Sequence, residues 1–166
     1  MSSRGSVIPL FKRQIRSDKP LTVTHPDMTR FLLTFGDAAD LVLYAMEHTE
    51  GGELFVKKAP SAYIVKVAEA LLELANKDLG GIRFIGQFAG EKIHEILISE
   101  EEATRCEDHG DYFVVAPWSA QPAQLPPVAE YSSHDHIVGV DVIKDLLLRS
   151  DKEMRDMQYG EGYFVI

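Results

Sequence analysis

Glu53-Leu54-Phe55-Val56-Lys57, then Ser61 leading into Ala62 to Lys77, then Gly80-Gly81 before Ile82-Arg83-Phe84-Ile85-Gly86, reads as strand, helix and strand with glycine punctuation. In the middle segment Val65, Ala68, Leu71, Leu72 and Ala75 recur at helical spacing, a core stripe with Ser61 placed to cap its start. Two strands joined through a helix run parallel. The expected fold class is therefore α/β: a small mixed, partly parallel sheet with covering helices.

Upstream, Leu21-Thr22-Val23-Thr24 alternates apolar and hydroxyl residues as a short strand, and His25-Pro26-Asp27 turns the chain. Before it, Pro9 suits the first turn of a helix reaching about Arg16, with Ile8, Leu10, Phe11 and Ile15 inward and Lys12, Arg13 and Arg16 outside. Thr34 and Asp37 have the spacing of a capping pair, and the helix they open runs to about His48 before Gly51-Gly52. Downstream, Gly90 turns into a segment read as helical, in which Glu91 and Glu95 share a face beside His94. Another helix-like stretch covers Glu100 to Asp108, Tyr112 to Val115 is a strand, and Trp118 to Val128 is a proline-rich crossing loop. A last helix spans Val140 to Leu148 with Val142, Ile143, Leu146 and Leu147 inward, and the ending Tyr163-Phe164-Val165-Ile166 suits an edge strand or a partner contact.

The 166 residues suffice for a real core, and a formal net charge of −9 argues against non-specific nucleic-acid binding. No apolar run has the length of a membrane span and no leader pattern opens the chain, so a cytoplasmic location is expected. Residues 1–30 hold six Lys/Arg against two Asp/Glu, a balance of +4, which leaves eleven against twenty-four, or −13, for the rest. The basic end is suited to a small phosphorylated ligand. Arg30 follows Thr29 where a guanidinium would grip a phosphate, although pairing with Asp27 or Asp37 fits equally. Cys106 is the only cysteine, which excludes an internal disulfide. Glu91, His94 and Glu95, and separately His134 and His136 around Asp135, hint weakly at metal; the expectation is no metal site. No G-x-G-x-x-G turn, G-x-S-x-G elbow, phosphate loop or Tyr-x-x-x-Lys is present, and no catalytic set is assembled.

Several strings carry a resemblance: Ser3 to Phe11, Pro20 to Thr24 with Met28 to Phe31, Asp37 to Val42, Gly90 to Glu95, Glu107 to Tyr112 and Glu130 to His134. In order and spacing they resemble the C-terminal portion of the bacterial UDP-N-acetylglucosamine 4,6-dehydratases, the capsular-polysaccharide branch of the extended short-chain dehydrogenase/reductases. The resemblance implies a nucleotide-sugar-binding domain over residues 1–149 with a tail over 150–166. It implies a site for a UDP-N-acetylhexosamine in which Ser6, Val7 and Ile8 lie along the uridine and Leu21, Thr22, Val23 and Thr24 near the uracil. Arg30 would meet the diphosphate and Glu91 the ribose hydroxyls. NADP and the catalytic residues would belong to a separate Rossmann half, so this chain holds no cofactor and is inactive alone. A self-associating chain is expected, because its faces toward that half would be apolar. Where the family has a second phosphate-binding arginine this chain has Phe88. The competing expectation is a non-catalytic interaction or regulatory module that keeps the fold without the ligand.

Overall fold

Ile8, Phe11 and Ile15 line one face of α1 (Val7–Arg16) and are buried by it, and Asp18, at a φ of 50°, turns the chain out of the helix. The protein is described by a computed structural model covering residues 6–78, 81–121 and 126–157. Met1 to Gly5, Gly80, Pro122 and the Tyr163–Ile166 ending lie outside the described residues. After α1 come β1 (Leu21–Val23), β2 (Thr29–Phe31), α2 (Phe35–His48), β3 (Leu54–Lys57), β4 (Ser61–Tyr63) and α3 (Ile64–Leu74). Then follow β5 (Ile82–Phe84), β6 (Ile96–Ile98), α4 (Glu100–Ala103), β7 (Cys106–His109), β8 (Tyr112–Val115), β9 (Tyr131–Ser132) and α5 (Val140–Asp156).

The fold is mixed α/β, as expected, but the strands fall into four small sheets among the described residues. Parallel pairing exists, with Leu21 opposite Ile82 and Val23 opposite Phe84, yet the partner of β5 is β1 and not β3. β3 pairs antiparallel with β8, because Val56, its one buried side chain, packs in a cluster with Phe113 and Val115 rather than under α3. Ser61 does not cap the following helix. Its amide donates to His136 O and it opens β4, antiparallel to β2, so that α3 begins three residues later.

Two apolar clusters hold these pieces. The larger joins α1, β1, α3 and α5 through Phe11, Leu21, Val67, Leu71, Ile143 and Leu147. The smaller gathers Ile98, Cys106, Phe113, Val115 and Tyr131 under the β3–β8–β7 sheet. Cys106 is sealed there, and burial, with Asp108 nearby, pushes its thiol up to about 11, which makes it inert rather than nucleophilic. α5 continues through Ser150 and Asp151, both buried, well past the Leu148 end read from the sequence, while Val142 faces outward.

The Thr34–Asp37 capping box forms as predicted, with each side chain bonded to the other residue's amide. Burial opposes charge on Asp37, but the Thr34 hydroxyl and amide, with Arg149 and Lys57 nearby, hold its carboxyl below the ordinary 3.8. A carboxylate lowered in the folded state adds stability above its unfolded pKa and loses it as pH falls through the folded one. Thr34→Ala is expected to lose about 0.5–2 kcal/mol at neutral pH. Its urea midpoint should also fall less steeply than wild type below about pH 4. A wild-type midpoint in the variant would show that the cap contributes nothing.

Candidate functional site

A cavity of about 570 Å³ opens where the start of α1, β1, β2 and the segment after β5 converge. α1 presents its first residues there, with no acid in its first turn, so the positive end of the helix dipole faces the space. Ser6, Val7, Ile8, Thr22, Val23, Thr24, Arg30 and Glu91 all line it. Leu21 does not. It is fully buried within the larger cluster. Sequence reasoning missed Leu10, Met28, Phe31, Leu32, Ile64, Val67 and Ile85, which supply most of the apolar wall, and noted Phe88 only as a departure. Apolar wall residues look like ordinary core in a sequence, and no local pattern sets these apart.

Arg30 and Glu91 are the charged side chains on the wall. The Arg30 guanidinium donates from Nη1 to Thr29 O (2.7 Å) and Ile93 O (3.1 Å) and from Nη2 to Lys92 O (2.9 Å). Its Nε stands 3.4 Å from Glu95 Oε1, so the ion-pair partner is Glu95 and neither Asp27 nor Asp37. Asp27 faces His25, and Asp37 faces Lys57 and Arg149. Among the described residues one Nη2–H takes no partner. The Glu91 carboxylate is held by the Thr24 hydroxyl (3.2 Å) and the Phe88 amide (3.2 Å), with acceptor capacity remaining.

The segment carrying Glu91 is not a helix. Between β5 and β6 it runs through turns and bends, and Gly86 and Gly90, at φ of 87° and 83°, take a left-handed backbone that other residues disfavour. Glu91, His94 and Glu95 therefore do not share a helix face. Among the described residues no group of three His, Cys, Asp or Glu side chains is arranged to hold a metal. Lys12 also departs from expectation: it is buried and paired with Asp151, so it does not belong to a solvated basic face.

Residues 1–117 match the family described as "Polysaccharide biosynthesis protein". The chain belongs to the polysaccharide biosynthesis protein family. The UDP-glucose 4-epimerase of Rickettsia felis is 40% identical over 169 residues, covering 95% of this chain and 49% of that protein. The UDP-glucose 4-epimerase of Rickettsia canadensis is 50% identical over 113 residues, covering 68% of this chain and 33% of that protein. The solved structure titled "X-ray structure of Pen from Bacillus thuringiensis" superposes with a TM-score of 0.77 at 33% identity, covering 90% of this chain and 46% of that one. The chain spans about half the length of the Rickettsia felis relative and of the solved structure, and a third of the Rickettsia canadensis relative. The matches support the extended short-chain dehydrogenase/reductase superfamily expected from the resemblance.

Proposed function

We propose that the cavity binds a UDP-sugar and that the chain is the nucleotide-sugar-binding portion of an enzyme of surface polysaccharide biosynthesis. The observation that carries this reading is the convergence of Ser6, Val7, Ile8, Thr22, Thr24, Arg30 and Glu91 on one space from four separate segments. A helix N-terminus and a guanidinium suit phosphate, a carboxylate suits a sugar diol, and an apolar wall suits a base. The sugar of the resemblance is a UDP-N-acetylhexosamine, with 4,6-dehydration as the reaction. The relatives bear the name of UDP-glucose 4-epimerase. Both chemistries need groups beyond this cavity, so the reading includes a separate NADP-holding Rossmann half, no cofactor in this chain, and residues 1–149 as the binding domain with the remainder as tail. None of the described helices is long and apolar enough to cross a membrane, and the proposed setting is the cytoplasm, where UDP-sugars are made.

The interaction-module reading keeps one observation of its own. α2 buries none of its side chains, and Phe35, Val42, Leu43 and Met46 on it are more than half exposed. Such a face suits contact with another protein surface, a second copy included, and it is compatible with ligand binding.

Calorimetric titration with UDP, UDP-N-acetylglucosamine and UDP-glucose tests the proposal. All three are expected to bind the wild type. Glu91→Ala should weaken each by about tenfold to a hundredfold, the 1.5–3 kcal/mol of a charged hydrogen bond, with an unchanged melting curve, since Glu91 is bonded only at the rim. No heat at millimolar ligand from a folded wild-type sample would overturn it.

A further inference from the structure

From Gly81 to Leu97 no side chain is buried. Ile82, in β5, packs against the larger cluster, whereas the residues from Gln87 to Glu95 have no buried side chain and are held largely by polar contacts, among them the Thr29 amide donating to Ile93 O at 2.9 Å. Three segments meet at the far end of this stretch. The Thr29 hydroxyl stands 2.7 Å from His94 Nδ1 and 2.7 Å from Ser133 Oγ. Ser133 Oγ accepts from the Glu95 amide at 2.9 Å and lies 3.2 Å from Thr29 O, and the Ser133 amide donates to Glu95 O at 2.7 Å. Thr29 and Ser133 are fully buried, so these bonds do not compete with water.

The row closes in either proton arrangement. With a bare Nδ1, Ser133 donates to the Thr29 hydroxyl and Thr29 donates to His94. With a proton on Nδ1, His94 donates to Thr29, Thr29 to Ser133, and Ser133 to Thr29 O. We infer that Thr29, His94 and Ser133 are positioning residues that fix the Gln87–Glu95 segment, and with it the Glu91 carboxylate, at the mouth of the cavity. They touch no ligand themselves; they act through the backbone of residues 92–95, which also receives Arg30. The ligand consequence rests on the UDP-sugar reading, while the placement of the segment does not.

The test uses the whole chain and two replacements at one site. Thr29→Val keeps the volume and removes the hydroxyl; Thr29→Ser keeps the hydroxyl. Amide hydrogen exchange of residues 91–95 without ligand is expected to quicken about tenfold or more in Thr29→Val, which loses the hydroxyl's bonds to both His94 and Ser133, and to return to within about twofold of wild type in Thr29→Ser. The UDP dissociation constant should rise and recover in parallel. Exchange in 91–95 that is unchanged in Thr29→Val, or not restored by Thr29→Ser, overturns the inference. Should Thr29→Val fail to fold, His94→Phe against His94→Asn decides the same point, because asparagine restores a polar atom near Nδ1. Should wild type not bind UDP while exchange responds as expected, the placement role stands and the nucleotide reading falls.

Discussion

Asp151→Ala is expected to destabilise the chain by about 3–5 kcal/mol, because it leaves the Lys12 ammonium buried without its counter-charge. The two side chains are 4% and 11% exposed and come from the first and last helices, α1 and α5. Lys12→Ala should be nearly as damaging, since it strands the carboxylate instead. The double replacement Lys12→Met with Asp151→Leu is expected to sit close to wild type or above it, as apolar substitutes of similar volume often do for buried pairs. Urea unfolding of the three variants measures all of this. A single variant within about 0.5 kcal/mol of wild type would mean that the charge left behind reaches water and that the pair is not sealed.

That pair also marks where sequence reading ends. The spacing of Ile8, Phe11 and Ile15 identifies the inner face of α1, and the same wheel leaves Lys12 at its margin. Its burial depends on an acid 139 positions away, which no local pattern announces. The capping box at Thr34, the α3 stripe and the strand at Tyr112 were legible because each is a local chemical signal confirmed by its own backbone. The segment around Glu91 was misread for the opposite reason. Ile93, Leu97 and the two glutamates have helical spacing, but Gly86 and Gly90 break the backbone, and Arg30 and Ser133 take up the carbonyls and amides that a helix would have used internally. β7 was hidden by charge. Of Cys106, Glu107, Asp108 and His109 only the cysteine is buried, so a solvated hairpin strand looked like a solvated helix. At the cavity, the resemblance names the polar members with Val7, Ile8 and Val23, whereas Leu10, Met28, Phe31, Leu32, Ile64, Val67 and Ile85 reach the wall through tertiary packing that no local pattern announces.

Arg30→Ala should affect both stability and binding, and so separates it from Glu91→Ala, which should affect only binding. The guanidinium bridges Thr29 O in β2 to the carbonyls of Lys92 and Ile93 and balances Glu95, so its removal loosens the segment and leaves Lys92 O without this donor, while Ile93 O keeps the Thr29 amide. Each charged hydrogen bond is worth about 1.5–3 kcal/mol when sealed. With the side chain 24% exposed, the net loss of stability is expected near 2–3 kcal/mol, about that of a single sealed bond. UDP affinity should fall by about a hundredfold or more, because the phosphate cation and the placement of Glu91 go together. Arg30→Lys keeps the charge but not the fork: one ammonium cannot serve carbonyls on both Nη1 and Nη2 and also face a phosphate. It is expected to recover less than half of either loss. Melting curves and titrations on the same samples decide the matter. A variant that melts with wild type yet loses UDP would make Arg30 a simple phosphate ligand, and one that keeps UDP while melting early would leave it a clamp with no part in binding. Loss of both, only partly repaired by lysine, is the result expected of a guanidinium that holds three backbone carbonyls, faces Glu95 and also takes part in the proposed phosphate contact.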